Sequence, residues 1–231
     1  MSYMIGVDVG GTFTDFSLFD TDTGALSHYK RSSTPEDPSK AIMGGIQEIL
    51  SERNIDPAQV SYLAHGTTVA TNALIEKKGA KMGLITTEGF KDLMEIGWQR
   101  RPSLYDLRRP KAESLIPPGM KQEVTERILH DGSVLTPLDE DSVRNAVCLL
   151  KEMGAQTIAV CTLFSFLNPV HEDRIKDIIQ EEFPGAYVSA SHDLVSEFRE
   201  YSRMSTTMLN AYLGPVMKEY VHNFERSVRE T

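Results

Sequence analysis

The sequence predicts an α/β protein that opens with an antiparallel strand meander and continues into a second α/β segment. Three observations predict it. Two short strand-like segments flank the glycine pair Gly10-Gly11. A helical spacing of isoleucines follows the meander, and later in the chain helix-like and strand-like stretches alternate.

Residues 3–9 form a short apolar strand candidate, and residues 13–19 set Phe13, Asp15, Ser17 and Phe19 against Thr14, Phe16 and Leu18, the two-residue period of a strand. Gly10-Gly11 therefore joins two strands. The turn residues Asp20-Thr21-Asp22-Thr23-Gly24 then let residues 26–32 return as a third antiparallel strand. A strand followed directly by a strand is not the strand-to-helix opening of a dinucleotide-binding fold. Asp37-Pro38 supplies a cap and a first-turn proline, and Ile42, Ile46, Ile49 and Leu50 carry a buried helical stripe onto the meander.

Residues 60–64 read as a strand, His65-Gly66-Thr67-Thr68 as a turn, 69–77 as a helix and 81–86 as another strand, an alternation that predicts a βαβ unit. Residues 99–118 hold Arg100, Arg101, Arg108 and Arg109 among four prolines, with little periodicity, and read as a long surface loop. A hairpin at Asp131-Gly132 comes next, then a helix over 139–153, a strand over 157–164, a helix entered through Asn168-Pro169 and a strand over 187–190. Met208, Tyr212, Val216, Tyr220 and Phe224 mark a last helix over 204–228, which Gly214-Pro215 should kink or break. The expected organisation is a first lobe over 1–98, a connection over 99–120, a second α/β subdomain over 121–198 and a helical segment over 199–231.

Composition narrows the function classes. A formal charge of −9 argues against a nucleic-acid partner, because phosphate neutralisation needs clustered Lys and Arg. Asp8 interrupts the first apolar run and no later run reaches membrane-spanning length, so the chain reads as cytoplasmic with no membrane partner. Cys148 and Cys161 lack metal-ligand spacing and read as reduced core residues.

The chemistry-bearing residues gather at the first turn. Paired glycines bring the backbone close to an anion, where free N–H groups cradle phosphate oxygens and the hydroxyls of Thr12 and Thr14 add donors. Asp8 and Asp15 flank that turn as the candidate catalytic carboxylates, and Asp8 is the candidate Mg²⁺ ligand, directly or through water. Gly10, Gly11, Thr12, Phe13 and Thr14 make up the candidate phosphate-binding segment. A tight hairpin in which the same residues are only turn formers is the competing reading.

His65, Thr67, Thr68 and Asn72 are candidates for phosphate or substrate at a second polar turn; the alternative makes Thr68 a helix cap and His65 a core histidine. Arg100 and Arg101 could neutralise a substrate carboxylate or a phosphoryl group, or form part of a solvated loop. Glu197 with Arg199 and Glu200 with Arg203 read as surface ion pairs, and His192 and Asp193 as structural.

The turn from Asp8 to Asp15 resembles the first phosphate motif of the actin, Hsp70 and sugar-kinase superfamily, which implies an actin/Hsp70/ribonuclease H-like lobe. His65-Gly66-Thr67-Thr68-Val69-Ala70-Thr71-Asn72-Ala73-Leu74, Gly83-Leu84-Ile85-Thr86-Thr87-Glu88-Gly89-Phe90 and Arg101-Pro102-Ser103-Leu104-Tyr105-Asp106 resemble the hydantoinase A and 5-oxoprolinase family. So do Glu197-Phe198-Arg199-Glu200-Tyr201 and Leu209-Asn210-Ala211-Tyr212-Leu213-Gly214-Pro215, and together these blocks span nearly the whole chain.

The resemblance implies ATP and Mg²⁺, a cyclic amide or imide as substrate, and a hydantoinase B-like subunit or the remainder of the same subunit as partner. Relatives of that family carboxylate ketones, which keeps a carboxylase or kinase subunit as an alternative, beside a non-catalytic nucleotide-binding assembly module. One departure stands out: no second glycine-rich phosphate turn follows Gly11. The chain therefore reads as the amino-terminal part of a longer subunit.

Overall fold

The computed structural model describes every residue except 1, 35–36, 101–102, 104, 107, 111–112 and 230–231. The chain divides into two compact units, Met1–Gly79 with Val216–Thr231, and Ala80–Pro215.

In the first unit, strands β1 (Tyr3–Val9), β2 (Phe13–Asp20) and β3 (Leu26–Ser32) form the expected antiparallel meander. Helix α1 (Pro38–Arg53) follows, its first turn capped by the Asp37 carboxylate, which accepts from the Ser39 N–H at 3.2 Å. Strand β4 (Val60–Thr67) adds to β1 in parallel, giving the sheet order β3-β2-β1-β4, and the seven-residue α2 (Val69–Ile75) comes after it. Ile5, Val7, Val9, Phe16 and Leu18 point to one face, where Ile42, Ile46, Ile49 and Leu50 of α1 cover them. The opposite face carries Asp8, Phe13, Asp15 and Lys30.

The close seating of α1 depends on a missing side chain. A Cβ at Gly45 would lie 2.2 Å from the Phe16 ring, and Phe16 is itself buried and cannot retreat. Gly45→Val is therefore expected to destabilise the chain by about 1–3 kcal/mol in urea unfolding. A loss below about 0.5 kcal/mol, the range of an ordinary surface substitution, would contradict this packing.

The second unit starts with β5 (Met82–Thr87) and the short α3 (Leu93–Ile96). It continues with β6 (Lys121–Val124), the hairpin β7 (Arg127–Ile128) and β8 (Val134–Thr136), and α4 (Glu140–Glu152). Strand β9 (Thr157–Cys161), α5 (Val170–Glu182), β10 (Tyr187–Ala190) and α6 (Ser191–Leu194) follow. Strands β10-β9-β5-β6 make an all-parallel sheet. Every residue of β5 and β9 is buried, as strands covered on both faces must be. Helix α7 (Glu200–Arg229) lies in the second unit up to Pro215 and in the first from Val216.

Four expectations about the secondary structure change. The segment His65-Gly66-Thr67 is strand, not turn, because pairing with Val7, Asp8 and Val9 extends β4 to Thr67. Strands β4 and β5 lie in different sheets, so the segment between them is not a βαβ crossover. Strand β9 ends at Cys161 and not at residue 164: Phe164 takes a left-handed backbone, and the Leu163 N–H turns to the Thr87 hydroxyl at 3.0 Å. Helix α7 runs through Pro215 without the break that is one of the two expected outcomes there. The proline removes one N–H donor, the nearby Tyr212 carbonyl accepts from the Ala80 N–H at 2.9 Å, and Gly214 packs directly against the Tyr187 ring.

Cys161 is buried, and burial pushes its thiol pKa up to about 12, in keeping with an inert core cysteine; Cys148 is exposed on α4 instead. No helix among the described residues is long and apolar enough to cross a membrane.

Candidate functional site

The β1–β2 turn is closed by the Gly10 N–H donating to the Phe13 carbonyl at 3.0 Å. A side chain at position 10 would meet that same carbonyl, since a Cβ there would sit 2.9 Å from it. β3 and the residue after it brace the turn from one side. Ser33 donates its hydroxyl to the Gly10 carbonyl at 2.8 Å and its N–H to the Thr12 carbonyl at 2.9 Å. The Thr14 hydroxyl, fully buried, shares a hydrogen bond with Ser33 at 2.9 Å, so it supports the turn from within. Gly11 and Thr12 are exposed at the tip, and their N–H groups meet no acceptor among the described residues.

Asp8 and Asp15 are register partners on the exposed sheet face, and Lys30 is the next partner across. Directly opposed residues bring their Cβ atoms to about 4.5–5.5 Å, close enough for two carboxylates to share one cation. Lys30 pairs with Asp15 at 3.1 Å and lies 5.1 Å from the centroid of the exposed Phe13 ring, leaving Asp8 as the less neutralised carboxylate. On the other side Asp8 partners Gly66, where a Cβ would come to 3.4 Å of the Asp8 carboxylate, so glycine keeps that flank open. Among the described residues no group of three or more His, Cys, Asp or Glu gathers as a metal cage. The donor set of two carboxylates fits Mg²⁺ only where phosphate oxygens and water complete the shell.

The second group of predicted residues divides. Val7 partners His65 and Val9 partners Thr67, so strand alternation sends these two side chains to the face opposite Asp8. The His65 Nε2 meets the Tyr220 hydroxyl, and its ring packs 4.8 Å from Phe224. Burial lowers the His65 pKa, with the Asp8 charge opposing. His65 is thus a half-buried histidine packed on aromatic rings, and the Thr67 hydroxyl accepts from the Val69 N–H at 3.1 Å at the start of α2.

Thr68 and Asn72, by contrast, reach the first turn. Thr68 bonds to the Val9 carbonyl through its N–H at 3.1 Å and its hydroxyl at 3.3 Å, while the Asn72 amide donates to the Thr68 hydroxyl at 3.2 Å. A Cβ on Gly11 would lie 3.2 Å from that amide nitrogen. Gly10, Gly11, Ser33, Asn72, Tyr220 and Asn223 help to line a cavity of about 340 Å³. Neither Asp8 nor Asp15 borders it. Arg100 belongs to the second unit and lines a different cavity; Arg101 lies outside the described residues.

One group escaped the sequence reading. Arg203, read there as a surface partner of Glu200, is 1% exposed and donates to the Ser191 hydroxyl at 3.0 Å and to the Thr162 and Glu197 carbonyls at 2.6 and 3.1 Å. Beside it the buried Glu172 accepts from the Thr162 N–H, the Ser191 hydroxyl and both the N–H and Nδ1 of His192. His171 pairs with the buried Glu126 at 2.7 Å. The only sequence signal was His171-Glu172 in the first turn of a helix, where exposed acids are common.

Comparison with known proteins places this architecture. The hydantoinase/oxoprolinase N-terminal region family matches residues 4–183. The alpha subunit of a caprolactamase from Pseudomonas jessenii is 38% identical over 234 residues, covering 99% of this chain and 34% of that subunit. The gamma subunit of an acetophenone carboxylase from Aromatoleum aromaticum is 37% identical over 232 residues, 93% of this chain and 31% of its own. Among solved structures, the ATP-dependent caprolactamase from Pseudomonas jessenii matches with a TM-score of 0.87 at 38% identity, over 96% of this chain and 33% of that one. A nucleotide-free acetone carboxylase matches with a TM-score of 0.89 at 27% identity, over 98% of this chain and 34% of that one. The chain thus spans about a third of the length of these relatives. With the match running from β1 through α5, the chain belongs to the hydantoinase/oxoprolinase N-terminal region family.

Proposed function

We propose that this chain supplies the first phosphate-binding turn of an ATP-dependent subunit that phosphorylates the carbonyl oxygen of a cyclic amide or imide before water opens the ring. The observation that carries the reading is the pairing of Asp8 with Asp15 on an uncovered sheet face, beside the exposed N–H groups of Gly11 and Thr12. The meander with a fourth strand parallel to β1 supports an actin/Hsp70-type lobe.

An amide carbonyl is a poor electrophile. Its oxygen forms a bond to the γ-phosphorus as the bond to ADP breaks; water then adds to the activated carbon, the C–N bond breaks as the ring nitrogen takes a proton, and a second water displaces phosphate from the resulting acyl phosphate. Phosphoryl transfer needs positioning and charge neutralisation more than covalent help. Gly11 and Thr12 would orient phosphate oxygens through their N–H groups, and Asp8, with Asp15 behind it, would hold Mg²⁺, which neutralises developing phosphate charge when bound. Thr68 and Asn72 hold the flank of the turn in place. Lys30, drawn to Asp15, keeps the carboxylate pair from repelling the turn open.

The proposed setting is the cytoplasm, with a hydantoinase B-like subunit or the remainder of a longer subunit as partner. The names of two relatives, an alpha and a gamma subunit, support a multi-subunit assembly. A half-site also implies that the 231-residue chain alone binds ATP weakly and turns nothing over. A second reading, a ketone carboxylase subunit, is favoured by the match to acetone carboxylase.

ADP release by the complete enzyme with Mg-ATP and either a hydantoin, 5-oxoproline, a lactam, or a ketone with bicarbonate tests the choice. Ring-opened acid formed with ADP is the expected result. ADP release only with ketone and bicarbonate would establish the second reading. No substrate-dependent ADP with any of them would overturn both in favour of an assembly module.

A further inference from the structure

We propose that the second unit carries a separate site for a small carboxylic acid with an apolar body, built around Trp98 and Arg100. The site is a cavity of about 450 Å³. Ile96, Leu115, Met208 and Leu209 give it an apolar lining, and Trp98 and Arg100 stand beside them. A site of this composition, apolar with a few convergent polar groups, is the usual form of a small-molecule pocket.

The backbone around Trp98 is held in an uncommon shape. Gly97 and Gln99 both have a φ of 56°, and for Gln99 that is a left-handed conformation that a side chain makes costly. The Gly97 N–H donates to the Leu93 carbonyl at 2.9 Å and the Gln99 N–H to the Ile96 carbonyl at 3.1 Å, which fix the bend. Trp98 is thereby left 49% exposed, with Tyr201 edge-on at 5.5 Å and the Arg199 guanidinium 5.5 Å from its ring centroid. Arg199 too has a positive φ, 89°. Two strained positions, Gln99 and Arg199, beside one half-exposed indole that lines a cavity are more than a loop needs for its own sake.

Charge selects the ligand class. Two glutamates line the cavity; Lys121 engages Glu95, and Glu113 has a partner of its own. Arg100 has no carboxylate or carbonyl partner among the described residues. A guanidinium without a partner beside an apolar lining suits a carboxylate, which it binds through two parallel hydrogen bonds while the body of the acid lies on Met208 and Leu209. This inference does not rest on the nucleotide reading.

Trp98 is the single tryptophan of the chain, so its fluorescence reports the cavity directly. Titrating the full 231-residue chain with hexanoate, in the absence of ATP and Mg²⁺, is expected to give a saturating change. Hexanamide, of the same length but uncharged, should bind about ten-fold or more weaker. Arg100→Leu and Arg100→Gln should each remove the preference for the acid while leaving the melting temperature unchanged, because Arg100 is exposed. A linear response to hexanoate, equal binding of the acid and the amide, or an unaltered preference in both variants would overturn the proposal.

Discussion

Asp8→Asn in the complete enzyme is expected to lower ATP-dependent turnover on the order of 10²–10³-fold, the loss typical of removing one preorganised electrostatic group from a transition state. The exchange keeps size and hydrogen-bonding capacity and removes only the charge. Among the described residues Asp8 is the carboxylate of the pair without a cation of its own, since Lys30 is drawn to Asp15, and Gly66 keeps its flank open. Asp15→Asn should therefore cost less than Asp8→Asn. Asp8 is exposed on the sheet face and contributes nothing to the core, so thermal unfolding should be unchanged. Equal turnover in wild type and Asp8→Asn, with both folded, would remove Asp8 from the site.

Arg203→Leu is expected to be the most damaging single change for stability, by about 3–5 kcal/mol in urea unfolding, because it strips one partner from a buried charged network. The side chain is 1% exposed, and three acceptors, Ser191, Thr162 and Glu197, lose their donor together. A loss under about 1 kcal/mol, as for an exposed ion pair, would show that the network is not what holds these loops.

The same network sets a pH dependence. The hydrogen bond to Glu172 raises the His192 pKa against its partial burial, and the charges of Asp193 and Asp173 add to the effect. Its stabilisation is therefore complete below the unfolded value of about 6.5 and is lost as pH rises through the folded one. Burial opposes the ionisation of Glu172, but hydrogen bonds from His192, Thr162 and Ser191 outweigh it and lower the pKa. That contribution is present above the unfolded value of about 4.3 and fades as pH falls through the folded one. Both act together at about pH 4.3–6.5, and His192→Gln should flatten the decline on the alkaline side.

Local chemistry made part of this legible from residues alone. The meander could be read because Phe13 to Phe19 alternates strictly and the glycine pair leaves no helical alternative, and β1, β2 and β3 fall where that pattern puts them. Asp37-Pro38 announced the start of α1 because a capping carboxylate acts within three residues; Asp139, expected as the first residue of the next helix, is the cap of α4.

What was not legible depends on partners distant in sequence. His65-Gly66-Thr67 carries turn residues, yet it is strand because β1 lies beside it, and that pairing decides which face His65 takes. The same alternation separates His65 and Thr67 from Asp8, while Thr68 and Asn72, just past the strand, come back to the turn. Pro215 is a helix breaker in isolation, but packing along thirty residues of α7 outweighs one missing hydrogen bond. Arg203 looks like any arginine near a glutamate. Only the fold brings Thr162, Ser191 and Glu197 around it.

The most direct test of the central claim follows one oxygen atom. A lactam substrate labelled with ¹⁸O at its carbonyl is turned over by the complete enzyme with Mg-ATP, and the inorganic phosphate is examined by mass spectrometry. If the carbonyl oxygen takes the γ-phosphoryl group and the second water attacks the acyl carbon, the label leaves with that phosphate, and the ring-opened carboxylate draws both its oxygens from water. Label found in the phosphate is the predicted result; label retained wholly in the carboxylate, with unlabelled phosphate, would contradict it.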